Sequence, residues 1–119
     1  MTQRTKTSRS RPKFDLGKIV ATPGALAACS PAHLNICLYL HARGDWGDIS
    51  AEDKARNDQS LVDRERVLSA YVRVLSAYAI DTSKPIKDGE NCLWIITEWK
   101  LHANTLLLSE TTLLLPDEY

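Results

Sequence analysis

The stretch Leu93-Trp94-Ile95-Ile96-Thr97-Glu98 decides the fold, together with its downstream partner Thr111-Thr112-Leu113-Leu114-Leu115-Pro116. Residues of this aromatic and β-branched kind pack well on a pleated, half-buried surface. We therefore expect a buried strand from Cys92 to Trp99 and another from Thr111 to Leu115, with a connection over residues 100–110.

Two further segments complete the predicted sheet. Residues 17–22 are β-branched in the middle and are closed by Pro23-Gly24, which cannot extend a ladder. We expect residues 75–81, 93–99 and 111–115 to pair as an antiparallel meander, with 17–22 as the candidate fourth strand. The predicted fold class is therefore α+β, a small antiparallel β-meander of three to four strands packed against two to three helices.

Helix signals lie between these strands. Ser30-Pro31 is typical of an N-cap followed by the first helical residue, and Gly44 ends that helix. A short helix is expected from Ala25 to Ala28. Ser50 with Asp53 three residues later resembles a capping box, which predicts the start of a polar helix.

A heptad-spaced duplication occupies the middle of the chain. Arg66-Val67-Leu68-Ser69-Ala70-Tyr71-Val72 recurs almost unchanged as Arg73-Val74-Leu75-Ser76-Ala77-Tyr78-Ala79. On a helix the leucines and tyrosines form one stripe, whereas in a strand a shift of seven residues puts equivalent side chains on opposite faces. We predict helix through the first copy and strand for the second. A second seven-residue period, in residues 105–118, is interpreted as a duplication that lengthens existing elements.

Length and composition indicate an ordinary globular protein. The chain has 119 residues, of which 44% are hydrophobic and 25% charged. No apolar run approaches the ~18 residues of a transmembrane helix, and the basic start lacks the apolar core of a secretory signal. We expect a disordered basic arm over residues 1–13, a single α+β domain over residues 14–119, a cytoplasmic location, no cofactor and no membrane contact.

Charge is segregated although the net charge is zero. Residues 1–18 hold six lysines and arginines against one aspartate, so the remainder of the chain is acidic. The basic arm could contact nucleic acid by neutralising phosphates. The residues that would do so are Arg4, Lys6, Arg9, Arg11 and Lys13. The other interpretation is a solvated terminus that aids solubility.

Cysteine and histidine recur every four residues at Cys29, His33, Cys37 and His41. Ligands at this spacing can share a metal on a helix, but the outer two would lie about 18 Å apart. A site built from two of them would need Cys92 or His102 in addition. We predict reduced, packed thiols and no metal site, since three cysteines without a C-x-x-C pair do not make a disulfide framework.

Several motifs resemble, in order, a family of small uncharacterised bacterial proteins commonly labelled plasmid-related. They are Thr22-Pro23-Gly24-Ala25-Leu26, His41-Ala42-Arg43-Gly44-Asp45-Trp46-Gly47-Asp48, Leu75-Ser76-Ala77-Tyr78, Trp94-Ile95-Ile96-Thr97-Glu98 and Thr111 to Tyr119. The resemblance spans residues 17–119 and brings no established activity. It implies an origin on plasmids, prophages or integrated elements, and a role in element maintenance or in countering host defence. The duplicated segment and the extra residues around Trp99 to Leu108 depart from the family pattern.

The strongest candidate site is a polar ring around the Gly44–Asp53 loop. Its residues are His41, Asp45, Trp46, Asp48, Glu52, Asp53 and Asn57. An exposed tryptophan rimmed by charge is typical of a binding hot spot, which predicts an acidic surface for an unidentified protein partner. The alternative is scaffold, with Trp46 in the core, Asp45 bonded within the turn and Asp48 capping the helix.

Catalysis is the less favoured function. His41 beside Asp45 or Asp48 could act as a general base in a hydrolase-type enzyme. The chain has no G-x-S-x-G elbow, phosphate loop or Rossmann fingerprint. We therefore predict a non-catalytic accessory protein of a mobile genetic element that binds protein, with nucleic-acid binding through the arm as the alternative.

Overall fold

The computed structural model describes residues 11–66, 71–102 and 106–119 and shows an α+β fold, as predicted. Its elements are β1 (Lys18–Ala21), α1 (Pro23–Ala28), α2 (Pro31–Ala42), α3 (Ala51–Arg66), β2 (Tyr71–Ala79), β3 (Cys92–His102), β4 (Leu106–Leu114) and a short 3-10 helix (Pro116–Glu118). Within the described part of the chain, none of the helices is long and apolar enough to cross a membrane.

The sheet has the strand order β1-β4-β3-β2. Strands β2, β3 and β4 form the predicted antiparallel meander. The fourth strand is also confirmed, but β1 runs parallel to β4, with Ile19 opposite Thr111. The sheet is therefore mixed rather than wholly antiparallel, because the elements between β1 and β4 bring β4 beside β1 in the same direction.

The hairpin between β3 and β4 is longer than predicted. Strand β3 continues beyond Trp99 to His102, and β4 already begins at Leu106. Lys100 pairs with Leu108. The prediction of a connection over residues 100–110 is thus wrong for most of that range, because the added residues extend the ladder and satisfy one another's backbone groups. The prediction that the second period lengthens existing elements is consistent with this hairpin.

The duplicated segment divides between two elements. Helix α3 ends at Arg66 and β2 begins at Tyr71, while residues 67–70 lie outside the described residues. The second copy is strand, as predicted. The helix predicted for the first copy is wrong at Tyr71 and Val72, which already pair with β3.

Both predicted helix caps are present. The Ser30 hydroxyl accepts from the His33 N–H at 3.1 Å, and the Ser50 hydroxyl accepts from the Asp53 N–H at 3.0 Å. Gly44 follows α2 at φ +79°, a conformation that favours glycine. The local signals were therefore sufficient for the starts of α2 and α3 and for the end of α2.

The core lies between the helices and one face of the sheet, and it consists of two clusters. The first joins α1 and α2 to the middle of the sheet through Ala25, Cys29, Leu34, Cys37, Tyr78, Leu93, Ile95 and Leu113. The second is rich in aromatic side chains and contains Phe14, Trp46, Val72, Val74 and Trp99.

The Glu118 carboxylate fixes the junction between β1 and α1. One oxygen accepts from the Thr22 hydroxyl at 2.5 Å and from the Leu115 N–H at 2.8 Å, and the other accepts from the Gly24 N–H at 3.1 Å. These bonds lower the pKa of Glu118, with the Thr22 hydroxyl as the largest cause. The last turn of the chain thereby holds β1 in place.

Candidate functional site

The Gly44–Asp53 loop lies along the outer edge of β2. The Ala77 N–H donates to the Trp46 carbonyl at 3.2 Å, and the Asp48 N–H donates to the Ala77 carbonyl at 2.7 Å. Gly47 has φ +76°, and a Cβ there would collide with the Ala77 carbonyl oxygen. Only glycine permits so close an approach. The loop therefore covers an edge strand, which would otherwise offer unpaired backbone groups.

Two side chains extend this cover along β2. The Asn57 amide nitrogen donates to the Leu75 carbonyl at 2.8 Å, and its amide oxygen accepts from the Leu75 N–H at 3.2 Å. Asn57 therefore pairs with β2 much as a neighbouring strand would. His33 donates from Nε2 to the Ala79 carbonyl at 2.9 Å. Asn57 is predicted from the sequence to be a partner-binding residue, but it is buried against β2.

Trp46 belongs to the core rather than to a surface. It is 3% exposed, and its ring lies 6.1 Å from that of Phe14 in a stacked arrangement. The indole N–H donates to the Asp58 carboxylate at 3.0 Å. The prediction of an exposed hot-spot tryptophan is therefore wrong, because the aromatic cluster buries the ring and Asp58 satisfies its one donor.

His41 is also buried, at 0% exposure, and it is part of a hydrogen-bonded chain across the inner face of the sheet. Its Nδ1 lies 2.5 Å from the Ser76 hydroxyl and its Nε2 lies 2.9 Å from the Thr97 hydroxyl. The Thr97 and Thr111 hydroxyls are 2.7 Å apart, and Thr111 donates to the Leu16 carbonyl at 2.7 Å. The His41 ring thus joins β2 to β3 directly, and the hydrogen-bonded chain continues from Thr97 to β4 and to the segment before β1.

The direction of these bonds fixes the tautomer of His41. Thr111 gives its only proton to the Leu16 carbonyl, so Thr97 must donate to Thr111. The Thr97 oxygen can then only accept from His41, which places the ring proton on Nε2 and leaves Nδ1 to accept from Ser76. Burial lowers the pKa of His41 to about 3, so the ring is neutral at physiological pH.

His41, the candidate general base, has no free ring nitrogen. Both nitrogens of His41 have protein partners, and Phe14 packs edge-on against the ring at 5.3 Å. In this structure His41 cannot contact a substrate or a partner. Asp45, the expected orienter, instead accepts from the Gly47 N–H at 3.4 Å within the turn. The prediction that His41 belongs to a partner-binding surface is wrong, since the ring links strands in the interior.

The acidic residues of the predicted surface remain accessible. Asp45, Asp48, Glu52 and Asp53 are all exposed. Arg56 pairs with Glu52 at 3.5 Å and with Asp53 at 3.1 Å, so part of this charge is neutralised locally. Without an exposed aromatic centre, these four carboxylates are a charged rim around the cover of β2.

The cysteine and histidine series is divided by packing. Cys29 caps the end of α1 outside α2, as predicted, and Cys29, Cys37 and Cys92 are free and buried. Burial raises the pKa of all three thiols, that of Cys37 to about 11. They are therefore protonated and pack as small apolar groups. Within the described residues, no three of the cysteine, histidine and acidic side chains come together as a metal site would require.

An apolar groove of about 730 Å³ lies at the opposite end of the sheet, between α2 and the segment before β1. We name it the β1 groove; its lining includes Pro12, Phe14, Leu16, Ile19, Leu38 and Tyr39. Ile19 and Tyr39 are each 48% exposed, and Ile36, one turn before Tyr39, is 57% exposed. No single stretch of the sequence indicates this groove, because its two walls come from separate segments, residues 12–19 and 35–43.

The basic segment borders the same groove. The Lys13 N–H donates to the Ala42 carbonyl at 2.7 Å, which ties the chain to the end of α2 at that point. Arg11 and Lys13 are exposed, and Lys13 is among the lining residues. The other residues predicted to contact nucleic acid, Arg4, Lys6 and Arg9, lie outside the described residues.

Comparison with known proteins adds no relative: the chain matches no protein-family model, and neither the curated proteins nor the solved structures contain a significant match.

Proposed function

We propose that this chain is a non-catalytic protein-binding module whose binding surface is the β1 groove. One observation carries the proposal: Ile19 and Tyr39 lie half exposed in an apolar groove beside an edge strand. Exposed apolar grooves with polar rims are typical of interaction sites, and uncovered sheet edges are generally managed or used. The β2 edge of this sheet is covered by the Gly44–Asp53 loop and Asn57, whereas within the described residues the β1 edge has no such cover.

Protein binding is thus the same function as predicted from the sequence, but its surface is the β1 groove instead of the Gly44–Asp53 loop. Binding energy at protein interfaces comes mainly from large side chains that become fully desolvated. In the Gly44–Asp53 loop, called the acidic loop from here on, the aromatic side chain of Trp46 is already buried inside the protein. In the β1 groove, Tyr39 and Ile19 still have exposed area to lose on binding. The acidic loop then serves the fold by covering β2.

The resemblance to plasmid-related proteins supports a further part of the proposal. A small binding module carried by a mobile genetic element would act on a protein of the element or of its host. A host-defence protein is one such target, and countering it would benefit the element. This part rests on the resemblance, whereas the binding surface rests on the groove.

Site-specific photo-crosslinking tests the surface. A photoreactive amino acid replaces Ile36, which is exposed on α2 one turn before the groove residue Tyr39, and in the matched variant it replaces Val62 on α3, which is 42% exposed. In cells of the source organism we expect a discrete protein adduct from position 36 and none from position 62. Tyr39→Ser should abolish the adduct without changing the melting temperature by more than a few degrees.

Three outcomes would reject this function. Identical adducts from both positions would indicate non-specific contact. Loss of the adduct in Asp48→Lys but not in Tyr39→Ser would return the surface to the acidic loop. An adduct at position 36 that disappears after nuclease treatment would indicate nucleic acid, bound with the help of Arg11 and Lys13.

A further inference from the structure

We infer that the β1 groove accepts an extended, acidic segment of the partner protein, which adds to the sheet as a fifth strand beside β1. This inference rests on the proposed function and specifies the chemistry of its partner. Strand addition supplies affinity through backbone hydrogen bonds and specificity through alternate side chains.

The backbone of β1 is oriented for such pairing. The Thr22 N–H donates to the Leu113 carbonyl of β4 at 3.0 Å. Because successive residues of a strand direct their N–H and C=O groups to opposite sides, Lys18 and Val20 face β4 in the same way. Ile19 and Ala21 therefore direct theirs away from the sheet. Among the described residues, none forms a hydrogen bond with these outward groups.

The side chains beside this edge select apolar residues at alternate positions. Ile19 pairs with Thr111 and so lies on the inner face of the sheet, the face that bears α2. An added strand would place every second side chain on that face, next to Ile19, Leu38 and Tyr39. The other side chains of the added strand would point to the opposite face, where Lys18 lies next to Glu110.

Charge around the groove favours an acidic segment. Lys13 and Arg43 line the groove, and the Arg43 guanidinium lies 3.6 Å from the centre of the Tyr39 ring. Lys18 is exposed on the opposite face of β1, to which every second side chain of an added strand would point, and Arg11 is exposed next to the lining residue Pro12. Fewer acids oppose them: besides the Glu110 neighbour, Asp15 lines the groove and accepts from the Gly17 N–H at 3.0 Å. Basic residues precede the groove in sequence as well, at Arg4, Lys6 and Arg9.

The same features disfavour the other occupants. A second copy paired through β1 would bring these cations against their own equivalents, and like charges across a strand pair are destabilising. A nucleic acid would satisfy the cations, but it has no peptide backbone to pair with Ile19 and Ala21. It would also leave the apolar floor of the groove unused, except for stacking on Tyr39.

The test uses a capped peptide of four Glu-Val repeats and the isotope-labelled full chain. We expect saturable shifts of groove resonances and slowed amide exchange at Ile19 and Ala21. A Lys-Val peptide of the same length should bind at least tenfold more weakly at low salt. Lys18→Glu should weaken binding of the acidic peptide, because Lys18 lies on the face to which the glutamates would point. Lys87→Glu, in the exposed loop between β2 and β3, should leave binding unchanged.

Alternate N-methylation of the peptide distinguishes strand pairing from simple apolar contact. Only every second amide of an added strand faces β1. Methylating the valine amides should abolish antiparallel pairing, and methylating the glutamate amides should abolish parallel pairing. One of the two methylated peptides should therefore bind and the other should not. Equal behaviour of both would overturn strand addition.

Two further results would also overturn the inference. One is the absence of any shift at Ile19 with the acidic peptide at millimolar concentration. The other is tighter binding of a single-stranded oligonucleotide at the same resonances. If the peptide fails while the position 36 adduct with a protein persists, strand addition is wrong and the proposed binding surface stands. If the adduct also fails, both proposals fall.

Discussion

Replacement of Asn57 by alanine tests whether a side chain substitutes for a missing strand beside β2. The substitution removes both bonds to Leu75, each with a net contribution of about 1 kcal/mol. Leaving the part-buried N–H and C=O of Leu75 without partners adds a desolvation cost of about 1 kcal/mol. Alanine recovers about 0.5 kcal/mol of helix propensity. We therefore expect Asn57→Ala to lower the free energy of unfolding by about 2.5 kcal/mol.

Urea denaturation followed by circular dichroism measures this change, and hydrogen exchange at the Leu75 amide locates it. The matched control is Asn35→Ala, the same substitution at an exposed position of α2. It should be neutral or slightly stabilising, because within the described residues the Asn35 side chain forms no hydrogen bond that would be lost. If Asn57→Ala unfolds within about 0.5 kcal/mol of the wild type, the pairing contributes nothing, and our account of the edge is refuted.

Three other perturbations probe the interior and the last turn. Trp46→Ala should lower the free energy of unfolding by about 3–5 kcal/mol, because a ring that is 3% exposed leaves a large cavity; a variant as stable as the wild type in urea would contradict this. An NMR titration should show His41 as a neutral Nε2–H ring well below pH 6.5. Stability should decrease from that pH towards about 3, since only the unfolded chain takes up the proton, and a His41 resonance titrating near 6.5 would disprove the buried tautomer. The lowered pKa of Glu118 adds stability above its unfolded pKa near 4.5, which is lost as the pH falls through the folded pKa. Glu118→Gln should flatten the acid side of the curve of melting temperature against pH. An unchanged curve would show that the hydrogen bonds of the Glu118 carboxylate to Thr22, Gly24 and Leu115 do not stabilise the fold.

Features set by local chemistry could be predicted from the sequence. Ser30 and Ser50 cap their helices because a hydroxyl reaches an amide three residues away, whatever the rest of the chain does. The strand from Cys92 to Trp99 could be predicted because its side chains match a buried pleated surface. The parallel direction of β1 could not, since it depends on how far the chain travels before β4 returns beside it.

The candidate site shows the same division. Trp46 lies between glycines and aspartates, and this local context indicates an exposed loop. Its burial depends on Phe14 and Asp58, which reach it from other segments. Asn57 was predicted to be a partner-binding residue, but its role depends on β2 being an edge strand. The β1 groove beside Ile19 forms only when α2 packs next to it, so no single stretch of the sequence predicts it.

The pairing of β1 with β4 has a consequence for synthesis in the cell. The Thr111 hydroxyl bonds to the Leu16 carbonyl across 95 residues, and Glu118 bonds to Thr22 across 96. At a translation rate of roughly 5–20 residues per second, β1 leaves the ribosome about 5–20 s before its partner strand exists. During that time Ile19 and the backbone of β1 have no native neighbour on either side. β1, the first strand of the described residues, is thus among the last to find its place in the sheet, so nascent-chain chaperones should bind this segment.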